Sequence, residues 1–196
     1  MTATAAPFGL QPTRNGLNGR ATGDEAYSIA SAYGTSIFNL DPIALDPAGT
    51  GTLTVGVNAA HLFGVFHGCE YTTSDGYYRV RPSWTASQAL LSGTTCTAYI
   101  TRDPFTEYFV QANGSLALTS TGFGADVVMG AGTALTGLST TALNSSLGSG
   151  TTTKQCRIVG LAGLQNNAWG DAFTIVRVIL NNLSGFLPMG GVTSWV

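Results

Sequence analysis

Thr97-Ala98-Tyr99-Ile100-Thr101, Arg102-Asp103-Pro104, Thr106-Glu107-Tyr108-Phe109-Val110-Gln111-Ala112 and Asn113-Gly114 follow one another between Cys96 and Leu116, and this run decides the fold class. Two segments rich in aromatic and β-branched residues suit a pleated, half-buried surface. Asp103-Pro104 breaks them, because proline fixes its own φ and pushes the preceding residue away from helix. Asn113-Gly114 tolerates the positive φ values of a tight hairpin turn. In the second strand Tyr108, Val110 and Ala112 point one way, while Phe105 and Phe109 point the other, beside Glu107 and Gln111. One face packs a core. The other is expected to need a second cover, from another layer or another subunit.

Composition points the same way. Charged residues make up 9% of the 196, and hydrophobic residues 44%. An average chain carries about a quarter charged residues. A disordered chain needs the opposite balance, and a surface this poor in charge is better hidden in an assembly. Net charge is -2. The arginines are scattered, and Lys154 is the one lysine. Only Arg79 and Arg81 stand close, on one face of a strand. Phosphate binding rests on clustered cations that release counterions, so no nucleic-acid partner is expected. Cys69, Cys96 and Cys156 lie far apart with no CxxC, which reads as buried free thiols of a reducing cytoplasm, with one disulfide and a spare thiol as the alternative. The start shows no signal-peptide pattern, and no apolar run reaches the ~20 residues of a membrane helix.

Along the chain, residues 1–26 lack a sustained period, and Asn15-Gly16 and Asn18-Gly19 break regular structure. Phe8 and Leu10 stand out, and the segment reads as an extended arm reaching a neighbour. Strands are expected at Tyr27–Ala30, Thr35–Phe38, Thr52–Val57, within His61–Tyr71, at Tyr77–Val80, Leu116–Leu118, Gly124–Met129, Gln155–Leu161 and Ala172–Leu180. Asp75-Gly76 is a hairpin turn, and a short helix is expected at Ala86–Leu91. Phe173, Ile175 and Ile179 should face one way, and Val176, Val178 and Leu180 the other, with both sides buried. Gly130–Gly150 reads as an irregular surface loop. A tail over Asn181–Val196 ends in Trp195-Val196. Many short strands between turn residues predict an all-β fold: a single jelly-roll-like β-sandwich over 27–196, preceded by the arm.

Candidate chemistry is sparse. His61 and His67 share strand parity near Cys69 and Glu70, without a tight metal-ligand spacing. Asp103 and Glu107 form a carboxylate pair of the kind glycosidases use, but aspartate before proline is ordinarily turn chemistry. Gly122-Phe123-Gly124 and Gly130-Ala131-Gly132 lack a phosphate-loop lysine. No nucleophile–base motif is present. Neither an enzyme nor a cofactor or metal is expected. Trp84 and Trp169 could offer a sugar-binding face, but core and interface aromatics are the commoner case.

A series of motifs carries a resemblance. It begins with Ala6-Pro7-Phe8-Gly9-Leu10-Gln11-Pro12, Tyr27-Ser28-Ile29-Ala30, Gly34-Thr35-Ser36-Ile37-Phe38 and Gly64-Val65-Phe66-His67-Gly68-Cys69-Glu70-Tyr71. Pro82-Ser83-Trp84, Ala98-Tyr99-Ile100 and Asp103-Pro104 through Gln111-Ala112 follow. Arg157-Ile158-Val159-Gly160-Leu161 and Asn167-Ala168-Trp169-Gly170-Asp171 close the series. In this order they resemble the head decoration, or capsid cement, proteins of tailed bacteriophages, over most of the chain. The resemblance implies a β-sandwich on the outer face of an icosahedral capsid, made in the host bacterial cytoplasm. It further implies a homotrimer that bridges subunits of the major capsid protein, and it transfers no active site. With the residue-level reading, it nominates Phe8, Leu10, Phe105, Phe109 and Trp195 as contacts to the capsid or to neighbouring subunits. A tail or baseplate component and a carbohydrate-binding jelly roll on the virion surface are the alternatives.

Overall fold

The computed structural model describes residues 4–15, 24–56, 61–148 and 154–181. The strands are β1 (Gln11–Asn15), β2 (Glu25–Ile29), β3 (Pro42–Leu45), β4 (Leu53–Val55), β5 (Gly64–Thr72), β6 (Tyr78–Arg81) and β7 (Cys96–Thr101). They continue with β8 (Thr106–Gln111), β9 (Gly124–Ala125), β10 (Val127–Val128), β11 (Ala142–Leu143), β12 (Cys156–Leu161) and β13 (Ile175–Leu180). One sheet has the order β1-β8-β13-β12-β9. A second has β2-β7-β5-β3-β4 with β6 also on β5, and β10 pairs with β11. All these ladders are antiparallel. The all-β expectation is met by multiple antiparallel sheets of the kind a β-sandwich contains. The strand orders do not by themselves establish a jelly roll.

Period-2 patterning explains the first sheet. The register Ile158↔Val178 and Val178↔Tyr108 lines up apolar residues of three strands on one face, with Val110 and Val176 paired beside them. Leu10, Leu62, Val65, Leu116 and Leu143 close over that face to complete a core. Each such aliphatic side chain contributes about 1.5–3 kcal/mol when removed from water. In the second sheet Ile29, Phe66, Cys69, Ala98 and Ile100 form another apolar face. The loops that precede β3 and β7 cover it with Ile37, Trp84 and Leu90. Trp84 is fully buried, its ring edge-on to Tyr71 and its indole N–H donating to the Tyr33 carbonyl at 3.3 Å.

β5 is nine residues long, and this length lets one edge serve two partners. Its first residues pair with β3 and its last with β6. The ladder to β7 shifts between Phe66 and Gly68. Gly68 has φ +149°, and a Cβ there would sit 2.9 Å from the Arg81 carbonyl oxygen. Only glycine lets the two chains approach this closely.

Several expectations are corrected. The break at Arg102-Asp103-Pro104 carries the chain from one sheet to the other, and Asn113-Gly114, read as a hairpin turn, does not return a hairpin. The described part of residues 1–26 is not a detached arm. Residues 11–15 form β1 on the edge of β8, and β2 already begins at Glu25. Thr35–Phe38 makes a single bridge, Ile37 to Trp84, instead of a strand. Ala86–Leu91 is not helical, and no strand forms at Leu116–Leu118, where Leu118 opens a turn of 3-10 helix over Leu118–Ser120. The Gly130–Gly150 segment is not wholly a surface loop: Ser139, Thr141 and Leu143 are buried. On β13, Val176, Val178 and Leu180 are buried as the pattern predicts, but Ile175 and Ile179 are only half-buried. Val57 and the tail from 182 onward lie outside the described residues.

Candidate interaction surfaces

The outward face of the β1-β8-β13-β12-β9 sheet follows directly from the register. Phe109 pairs with Arg177 and Gln111 with Ile175. Phe109, Ile175 and Ile179 are half-buried and form an apolar stripe. An ion pair interrupts it: Arg177 Nη1 donates to Glu107 Oε2 at 3.1 Å, with the Glu107 side chain 10% exposed. The chain itself supplies part of the cover that this face was expected to need. Ala6 N–H donates to Gln111 Oε1 at 2.7 Å, and Gln111 Nε2 donates to the Thr4 carbonyl at 3.0 Å. Thr13 Oγ1 donates to the Glu107 carbonyl at 3.0 Å, beside β1.

The five nominated contact residues therefore do not form one surface. Leu10 is fully buried in this chain's own core, so it is corrected from a contact residue to a core residue. Its neighbour Gly9 explains how it gets there. Gly9 has φ +84°, and a Cβ at that position would collide with the Leu40 carbonyl and crowd Ser139. The Gly9 N–H donates to the Thr141 carbonyl at 3.0 Å, and the Leu10 N–H to Leu40 at 2.9 Å. Phe8 is half-buried next to this anchor. Phe105 is 53% exposed in the turn before β8. Phe109 lies on the outward face of the sheet. Trp195 lies outside the described residues.

Asp103 sets the Phe105 turn. Its carboxylate accepts from the Phe105 N–H at 2.8 Å and its carbonyl from the Thr106 N–H at 3.1 Å. Glu107 is tied to Arg177 on the sheet face. Asp103 thus forms a turn, as aspartate before proline ordinarily does, and Glu107 pairs its charge with Arg177.

The second surface is the β5–β6 hairpin. All of β6 is exposed, with Tyr78 at 63% and Val80 at 67%, and so is Tyr77 before it at 63%. The register pairs Tyr71 with Arg79 and Cys69 with Arg81, and the Thr73 N–H donates to the Tyr77 carbonyl at 2.9 Å. Tyr77, Arg79 and Arg81 thus form a row on one face. They line a groove of about 420 Å³ whose other side holds Ser83, Thr85 and Gln88. The sequence marked Arg79 and Arg81 as sharing a strand face but did not single out the groove. Its far wall comes from the loop after β6, which carries no periodic signal.

Asp41 and His67 are enclosed titratable groups with partners. Asp41 accepts from Ser139 Oγ at 2.5 Å, Thr141 Oγ1 at 3.0 Å and the Phe38 N–H at 2.8 Å. Burial pushes its carboxyl up from the ordinary value, and those three hydrogen bonds pull it back. His67 Nε2 lies 2.8 Å from Thr101 Oγ1 and 3.8 Å from Asp24. Burial lowers its pKa, while the Asp24 charge raises it. The Cys96 thiol is pushed up by a hydrogen bond with the Cys69 thiol and by burial; burial, and after it the Asp126 charge, push Cys156 up to about 12. All three cysteines are free and buried. A thiol is nucleophilic only as thiolate, so this chemistry is inert. Among the described residues no three His, Cys, Asp or Glu side chains converge as a metal site, and no helix is long and apolar enough to cross a membrane. Trp84 is sealed inside and presents no sugar-stacking face, and Trp169 packs half-buried against the first core.

Comparison with models of protein families, with curated proteins and with solved structures finds no match in any of the three.

Proposed function

We propose that this chain is a structural protein of a tailed-phage virion: a head decoration, or cement, protein on the outer face of the capsid that assembles as a homotrimer and bridges major capsid protein subunits. The observation that carries the reading is the outward face of β8 and β13. There Phe109, Ile175 and Ile179 remain half-buried in a chain with 9% charged residues. The exposed Phe105 precedes β8. The ordered motif series described above supplies the capsid as partner.

The mechanism is mechanical. The sandwich offers a rigid apolar stripe, and the segment before β1 is clamped to it through Gln111. Specific attachment needs about 1,000 Å² or more of buried surface per contact. Many copies on one shell act together, so modest individual contacts suffice. Bridged subunits then resist the outward pressure of packaged DNA. The test is to heat phage heads with and without the protein. Heads that carry it should release DNA at a higher temperature; identical release temperatures overturn the reading.

A further inference from the structure

The β5–β6 hairpin carries a second surface that the capsid reading does not use. Tyr77, Arg79 and Arg81 project in one row into the groove of about 420 Å³ described above. Successive same-face residues of a strand stand roughly 7 Å apart. Two guanidinium groups at that spacing repel one another unless an anion lies between them. Among the described residues no carboxylate comes within 4.0 Å of either arginine. Arg79 instead stacks on Tyr77, its Cζ 5.6 Å from the ring centroid. Asp75 is the one acidic residue of the lining, against the two arginines. The groove is thus an open cationic concavity with an aromatic wall.

The rest of the lining is neutral and hydrogen-bonding: Thr73, Ser83, Thr85 and Gln88. Gln88 donates its Nε2 to the Ala89 carbonyl at 2.9 Å, which leaves its Oε1 as an acceptor for a ligand. The volume lies in the range of small-molecule sites. An arginine fork matches a carboxylate in two parallel hydrogen bonds. Hydroxyl and amide side chains suit a polyhydroxylated ligand, and the exposed tyrosine ring suits the apolar face of a sugar. Two arginines at the edge of a chain with net charge -2 are too few to track a nucleic-acid backbone.

The geometry points to a binding site for a carboxylate-bearing saccharide, a uronate or sialate sugar, with Arg79 and Arg81 gripping the carboxylate and Tyr77 stacking on the ring. The site rests on the hairpin and the loop that follows it, and is independent of capsid attachment. It also moves the sugar-facing aromatic from the buried Trp84 to Tyr77.

The experiment is a calorimetric titration of the full chain with sialyllactose and with a glucuronate-containing oligosaccharide, beside lactose and inorganic phosphate. At least one acidic saccharide should bind, and lactose should bind about tenfold more weakly or not at all. Arg79→Gln and Arg81→Gln should each weaken the acidic ligand about tenfold. Tyr77→Ala should weaken it as well. All three positions are exposed, so the variants should keep the parent's unfolding midpoint. The proposal is overturned if neither acidic saccharide binds, if lactose binds equally well, if inorganic phosphate binds as tightly as the acidic saccharide, or if Arg79→Gln and Arg81→Gln leave affinity unchanged.

Discussion

Arg177 Nη1 and Glu107 Oε2 meet at 3.1 Å across neighbouring strands, on the same sheet face as Phe109, Ile175 and Ile179. The pair is only partly open to water, with side-chain exposures of 27% and 10%. Removing one partner leaves the other charge half-buried. Glu107→Gln should therefore cost about 1.5–3 kcal/mol, the range of a hydrogen bond to a charged group. Urea unfolding of Glu107→Gln, Arg177→Leu and the double variant checks this. The double variant should lose less than the two single losses added together.

Leu10 and Phe105 were nominated together, and the structure separates them. Leu10→Ala should cost about 2–5 kcal/mol, because it opens a cavity in the core. Phe105→Ser should change stability by no more than about 0.5 kcal/mol, yet weaken attachment to heads. Denaturant midpoints and head binding, measured on both variants, give opposite rankings if the assignment is right.

Asp41 predicts a pH dependence of definite sign. Its folded pKa is raised above the ordinary 3.8, chiefly by burial. The folded chain then holds this proton more tightly than the unfolded chain. The stability it contributes is complete below 3.8 and is lost as pH rises through the raised value. Across that acidic window the wild type should lose stability relative to Asp41→Asn, as read from unfolding free energies. Asp41→Ala should cost about 1–3 kcal/mol or more, since buried donors from Ser139, Thr141 and Phe38 lose their acceptor.

His67 runs the other way. Burial lowers its folded pKa below 6.5, so the unfolded chain binds the proton more readily. The stability it contributes is present above 6.5 and is lost as pH falls through the folded value. His67→Gln should flatten that acid loss, as seen by thermal unfolding across the weakly acidic range.

The three thiols should resist alkylation at mildly alkaline pH while the chain is folded and react once it is unfolded. Burial encloses all three, and it raises the thiol pKa of Cys96, together with the Cys69–Cys96 hydrogen bond, and of Cys156, together with the Asp126 charge. Mass spectrometry after brief iodoacetamide treatment reads this directly.

What was legible in the residues was local. Alternation in Cys96–Leu116 and Gln155–Leu180 located β7, β8, β12 and β13 to within a few residues, and Asp75-Gly76 marked the β5–β6 turn. What was hidden depended on distant partners. Residues 11–15 have no strand pattern of their own; they are extended because β8, about a hundred positions on, offers an open edge. Ser139 and Thr141 looked like surface residues because they are polar. They are buried because Asp41 accepts from both hydroxyls, a partner that no local window contains. Ile37 read as part of a strand and Trp84 lay outside any expected strand, but both cover the second sheet's apolar face. The outward stripe was foreseen in kind, but not that Gln111 would draw residues 4–6 onto it.

The central claim is that neighbouring subunits and a capsid complete the cover of the β8–β13 face. Sedimentation of the purified chain, alone and mixed with tailed-phage heads stripped of decoration, tests it most directly. The account predicts a trimer when alone and saturable co-sedimentation with the heads, lost in Phe105→Ser. A monomer that stays in the supernatant whatever heads are added would contradict it.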